Sequence, residues 1–266
     1  RRMIGRTVAW WLACWRQALS RDLQFRTQTI LIALGAVVDV AISLVPALVL
    51  AQTARTAESG WDESTAVLVV GLFTLTTALL DTVVGPNLLR LDAAVRTGEL
   101  DLLLIRPIPA FFALTLRWIR PAEATRLLVG AALVLGAFSM ADEAPSPGAI
   151  FGCLLLMVLG TGAWTLFWIN ASFLSFWWAS AAPVQEIIGA LREAGQYPRA
   201  AFRRLPLLGF TTLVPALLLA TLPAQVLLGG ELGGPLLGGA VVVGVGSLVT
   251  AVHWRLALRR YDSASS

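Results

Sequence analysis

Apolar residues dominate six long stretches of this chain, at about 29–51, 64–84, 122–140, 149–176, 206–228 and 236–253, and polar residues collect in the gaps between them. Each stretch is close to or above the ~20 residues that a helix needs to cross the hydrocarbon core of a bilayer. A backbone in lipid must satisfy its own hydrogen bonds, so the pattern predicts an all-α polytopic membrane protein with six transmembrane helices. Ahead of the first stretch, Trp11, Leu12, Trp15 and Leu19 recur at helical spacing, while Arg6, Arg16 and Gln17 fall on other faces. This predicts an amphipathic helix over 1–27 lying in the headgroup plane, the plainer alternative being a lead-in that only supplies positive charge.

The gaps alternate in charge. Arg55 stands against Glu58, Asp62 and Glu63 in the first, and the third, 141–148, is acidic and Pro-rich. The second, 87–120, carries Arg90, Arg96, Arg106, Arg117 and Arg120; the fourth carries Arg192, Arg199, Arg203 and Arg204, and the end of the chain is again basic. Positive charge is retained on the cytoplasmic side, so both termini are expected there, with a transmembrane unit over 28–256 and a cytoplasmic tail over 257–266.

Composition narrows the chemistry. Hydrophobic residues make up 57% of the chain and charged residues 14%, against about a quarter charged in soluble domains. All twenty basic residues are arginine. Without lysine there is no Walker A loop and no Schiff-base amine in this sequence. Cys14 and Cys153 are the only cysteines and His253 the only histidine, which leaves no disulfide framework and no His/Cys metal spacing. No HExxH or GxSxG motif occurs. The chain is therefore expected to have no catalytic residue, no metal site and no cofactor of its own. Its arginines lie between apolar segments, which fits membrane topology better than binding to nucleic acid.

Three polar groups fall at membrane depth: Asp39, Asp81 and Asn170. A carboxylate at the bilayer centre costs on the order of 3 kcal/mol, so each needs a partner or water. Asp39 is the deepest. It either meets substrate or water, or makes a structural bond to a neighbouring helix; Asp81 is expected to pair with an arginine such as Arg90. Thr74, Thr76 and Thr77 in the second stretch, and Thr211 and Thr212 in the fifth, either line a substrate path or bond their own backbone. Asp39, Thr74, Thr77, Asn170, Thr211 and Thr212 are the candidate path residues. Pro215 and Pro223 bend the fifth stretch. Gly238, Gly239, Gly244 and Gly246 allow close helix approach in the sixth.

The second gap contains RTGELDLLLIRPI, from Arg96 to Ile108, in which Gly98 precedes an acidic pair, an apolar run and an Arg-Pro stop. Held between spans, it is either a docking surface for a partner or a membrane-surface anchor. It resembles the G-x-L-D-x-x-L-x-R-P signature of ABC-2-type transporter permeases, most closely the short six-span bacterial ones without a fused ATPase. Gln196-Tyr197-Pro198-Arg199 followed by Pro215 resembles the Y-P loop and proline-broken fifth span of that branch, and the ending after Arg259 resembles its R-Y-x-S-A-S tail.

The resemblance implies a type V exporter-like permease fold in the bacterial inner membrane, pairing with an identical or sister permease and docking two ATPase subunits that carry ATP and Mg. It makes about 87–110 the coupling segment, with Arg96, Gly98, Glu99, Leu100, Asp101, Arg106 and Pro107 at the docking site. It makes Tyr197, Pro198 and Arg199, within a loop at about 178–206, a second cytoplasmic contact. Two alternatives stay open: a secondary transporter or channel using Asp39, and a non-transporting membrane scaffold.

Overall fold

The computed structural model describes residues 2–54, 61–141, 144–178, 182–197 and 215–261. Every regular element among them is helical. In chain order these are α1 (Arg2–Gln24), α2 (Arg26–Ala54), α3 (Glu63–Val83), α4 (Gly85–Arg96), α5 (Glu99–Leu104), α6 (Ala110–Leu116), α7 (Thr125–Met140), α8 (Pro147–Ser172), α9 (Ala182–Glu193), α10 (Thr221–Leu227) and α11 (Gly233–Arg260), joined in places by short 3-10 turns.

Five stretches of the described residues are long and apolar enough to cross a membrane: Arg26–Gln52, Glu63–Arg96, Pro121–Met140, Pro147–Phe176 and Gly233–Arg260. They match the first, second, third, fourth and sixth apolar stretches, and the protein is an all-helical multi-pass membrane protein. The fifth stretch falls partly on 206–214, outside the described residues. Its described part is not one continuous helix. A 3-10 turn over Pro215–Leu218 leads through Ala220, with φ −147° and ψ −47°, into the short α10. Pro215 and Pro223 each lack an amide hydrogen, and a proline ring obstructs the preceding turn.

α3 is the hub. It is buried along most of its length and packs against α2, α7 and α10. Its start is fixed by Asp62, whose carboxylate accepts from the Thr65 amide at 2.7 Å and from the Ser64 hydroxyl at 2.9 Å. Burial pushes the Asp62 pKa upward, but these hydrogen bonds outweigh it and hold the carboxyl below its ordinary value. The cap's contribution is therefore complete above the usual carboxylate range and is lost as pH falls through the lowered value. Asp62→Ala should cost about 1 kcal/mol, read as a lower thermal midpoint at neutral pH whose difference from the parent shrinks in acid.

At Gly85-Pro86 one helix ends and the next begins: α3 stops at Val83 and α4 starts at Gly85. Val84 keeps helical angles, and Pro86 sits in the first turn of α4, where its missing amide costs nothing. α8 gives way at Ser172 to a 3-10 turn over Phe173–Phe176. Of the four glycines expected to allow close approach on α11, two face α8: Cβ atoms at Gly239 and Gly246 would meet Leu159 and Leu166 at 3.3 Å, whereas Gly238 and Gly244 face open space.

α1 is one continuous helix. Trp10 packs edge-on to Phe112 at 6.1 Å, Ala18 is buried, and the Asp22 carboxylate accepts from the Ala122 amide at 3.0 Å. Val8, Leu12, Leu19 and Leu23 form an exposed apolar stripe on the other side.

Candidate functional site

α2, α3, the start of α4, the 120–126 turn and the end of α9 enclose a half-open cavity of about 490 Å³. Asp39, Thr74 and Thr77 of the predicted path residues line it, together with Asp81, Glu123, Arg126 and Arg192. Its apolar wall includes Val40, Ile42 and Phe73.

Its charges alternate. Arg126 on α7 pairs with Asp39 on α2 and lies 3.9 Å from Asp81 on α3. Asp81 accepts from Arg192 on α9 at 2.7 Å. Glu123 stands 3.5 Å from Arg120 and 3.6 Å from Arg126. Three spans and a helix of the fourth gap thus meet at one chain of opposite charges, in which Asp81, Glu123, Arg126 and Arg192 are largely buried, where a lone charge is costly, and Asp39 is exposed at its edge.

The expected Asp81–Arg90 pair does not form. α9 folds back under α3 and brings Arg192 to Asp81, while the Arg90 guanidinium lies 4.3 Å from the ring centre of Trp118. Arg126, Glu123 and Arg192 as members of this site escaped the sequence reading. The available signal was Glu123 and Arg126, two opposite charges one turn apart at the start of an apolar stretch.

Thr74 and Thr77 donate to the carbonyls of Val70 and Phe73, both at 2.8 Å, so they present their methyl groups and a bonded oxygen to the cavity. Thr76 faces elsewhere and donates to Leu219 at 2.9 Å. Asn170 does not reach the cavity. It donates to Thr250 at 2.6 Å, and its oxygen lies 3.0 Å from His253 Nδ1, which must carry the proton for that bond to form. This joins α8 to α11. Thr211 and Thr212 lie outside the described residues.

The 96–107 segment is a second, distinct feature. Gly98 has φ 75°, a left-handed turn that a side chain would strain, and α5 starts directly after it. Leu100 and Leu103 are buried, whereas Leu102, Leu104 and Ile105 are exposed, Ile105 at 81%. Glu99 is paired with Arg117 at 2.6 Å, and Arg96 with Asp92 at 2.9 Å. Asp101 lies near Tyr261, whose hydroxyl pKa is raised by burial and by that neighbouring carboxylate. Arg106 and Pro107 are exposed.

The segment's own link is the Glu99–Arg117 pair, and Trp118, the residue after Arg117, is tied to α4 by Asn87, which donates to the Trp118 carbonyl at 2.8 Å and accepts from its amide at 2.7 Å. Tyr197 is half-buried, its carbonyl accepting from Thr221 at 3.2 Å. Pro198 and Arg199 lie outside the described residues.

Several apolar helices around a charged cavity, with a rigid helical segment carried between two spans, define a polytopic membrane protein of the transporter class. A family model described as ABC-2 family transporter protein matches residues 37–265. The chain belongs to this family, whose membrane components are generally non-catalytic. No curated protein and no solved structure matches it.

Proposed function

We propose that this chain is the permease subunit of an ABC exporter, forming the substrate path as a homo- or heterodimer of permeases in the bacterial inner membrane, with both termini in the cytoplasm. Two separate ATPase subunits, carrying ATP and Mg, drive it from the cytoplasmic side. The observation that carries the reading is α5, where Leu102, Leu104 and Ile105 face outward from a segment held by the Glu99–Arg117 pair, with the adjoining Trp118 tied to α4 by Asn87. Such a segment can pass a push from a docked partner to α3 and α4 without first deforming. The charged cavity serves as part of the path, and Tyr197, with Pro198 and Arg199, forms the second cytoplasmic contact.

Docking by the acidic pair is the weaker form of this idea, because Glu99 is engaged by Arg117 and Asp101 lies near Tyr261. The exposed apolar edge is the better docking surface. Leu102→Asp with Ile105→Asp should reduce co-purification of the ATPase subunit at least tenfold and leave the permease's own thermal midpoint unchanged, since neither side chain supports the core. Undiminished co-purification would refute docking at α5. A proton- or ion-driven mechanism through Asp39 is disfavoured by the Arg126 pair, which already neutralises that carboxylate.

A further inference from the structure

A second pocket, of about 280 Å³, lies where α1 hands over to α2, and it is lined by Arg21, Phe25, Thr29, Ile32, Arg90 and Arg120 among others. Three guanidiniums converge there against a single lining carboxylate, Asp22. That carboxylate is already engaged: one oxygen is 3.2 Å from Arg21 Nε and the other accepts from the Ala122 amide. Arg120 is held only loosely, 3.5 Å from Glu123. Among the described residues, Arg90 has no carboxylate within ion-pair distance. Its guanidinium faces Trp118, and stacking of this kind leaves the in-plane N–H donors of an arginine free for an oxyanion.

We propose that this pocket holds the phosphate of an anionic lipid from the adjoining leaflet. The excess of arginine calls for an oxyanion, and guanidinium forks match phosphate geometry. The apolar surroundings call for a tail. Phe25 and Ile32 line the pocket, and Leu23, Phe25, Ile30 and Leu31 are exposed around the point where the first membrane span begins at Arg26. A free anion gains nothing from these side chains, whereas acyl chains would cover them. Basic pockets beside membrane helices recognise headgroups by this combination.

The protein, purified in a neutral detergent, would be titrated with dioleoylphosphatidylglycerol, dioleoylphosphatidylcholine or inorganic phosphate while its thermal midpoint is followed. Phosphatidylglycerol should raise the midpoint; phosphatidylcholine and inorganic phosphate should not. Arg90→Gln should shift the phosphatidylglycerol titration to about fivefold higher concentration, the effect expected for one basic residue at an anionic surface, and Arg90→Lys, which keeps the charge but not the stacked planar fork, should fall between the parent and Arg90→Gln.

Equal shifts with the two lipids would overturn the proposal, as would an Arg90→Gln protein that titrates like the parent. A shift with inorganic phosphate matching that with phosphatidylglycerol would show a site for a free anion and overturn the lipid assignment. Should Arg90→Gln not fold, the lipid comparison on the parent protein and the Arg90→Lys titration still decide. No ATPase subunit enters the measurement, so its outcome is independent of the docking test.

Discussion

Gly160→Ala should destabilise the protein by about 3 kcal/mol or prevent its folding, the upper end of what added bulk costs in a packed interior. A methyl group there would lie 2.1 Å from the carbonyl oxygen of Leu218 and 2.7 Å from its carbon. Both atoms are backbone, so no rotamer change can relieve the contact. The segment that would have to move is fixed on other sides as well. Residues 215–221 are all buried. A Cβ at Gly195 would stand 2.5 Å from the Ala216 carbonyl, Thr76 donates to Leu219, and Thr221 donates to Gly195 at 3.0 Å. Gly162→Ala is the control, because its methyl would meet only Val243, at 3.8 Å. Thermal unfolding in detergent compares the two, and a Gly160→Ala protein as stable as Gly162→Ala would contradict this account of the packing.

Asp81→Asn should cost about 3 kcal/mol, because it leaves Arg192 without its carboxylate in a site where both side chains are about four-fifths buried. Arg192→Gln should cost a similar amount for the converse reason. The pair can be separated from general damage by combining the changes. With both charges gone no buried charge is left alone, so the double variant should be more stable than the sum of the single effects by at least 1 kcal/mol. Arg126 keeps Asp39 as a partner throughout but loses its 3.9 Å contact with Asp81 in both proteins that carry Asp81→Asn, so the link between α3 and α9 is read from the double-variant comparison and not from Asp81→Asn alone. Effects that add to within about 0.5 kcal/mol would mean that the two groups do not depend on one another.

The sequence-level errors share one physical origin. Asp81 was matched to Arg90, a neighbour along the chain, but its partner is 111 positions away on α9. Asp39 was recognised as needing a partner, and the partner came from the third apolar stretch. Hydrophobic periodicity says that a segment lies in the membrane but not which other segment lies against it. Thr74 and Thr77 were offered both as path residues and as self-bonded residues. They line the cavity while bonding their own backbone, so the two readings are compatible. Asn170 was placed with them by depth alone, although its face of α8 meets α11 and His253.

Apolar run length, arginine placement, the absence of lysine and the glycine before Glu99 belong to the sequence by itself. They determine a helical multi-pass chain with no lysine-dependent nucleotide chemistry and a glycine free to turn before Glu99, because insertion cost and backbone satisfaction act on each segment locally. The tertiary structure alone decided which charges neutralise one another, that residues 215–221 are buried as a broken helix between α8 and the 194–196 turn, and that Leu102, Leu104 and Ile105 face outward while Leu100 and Leu103 do not. Those outcomes depend on which helices touch, and contact between distant segments is set by packing that no single segment encodes.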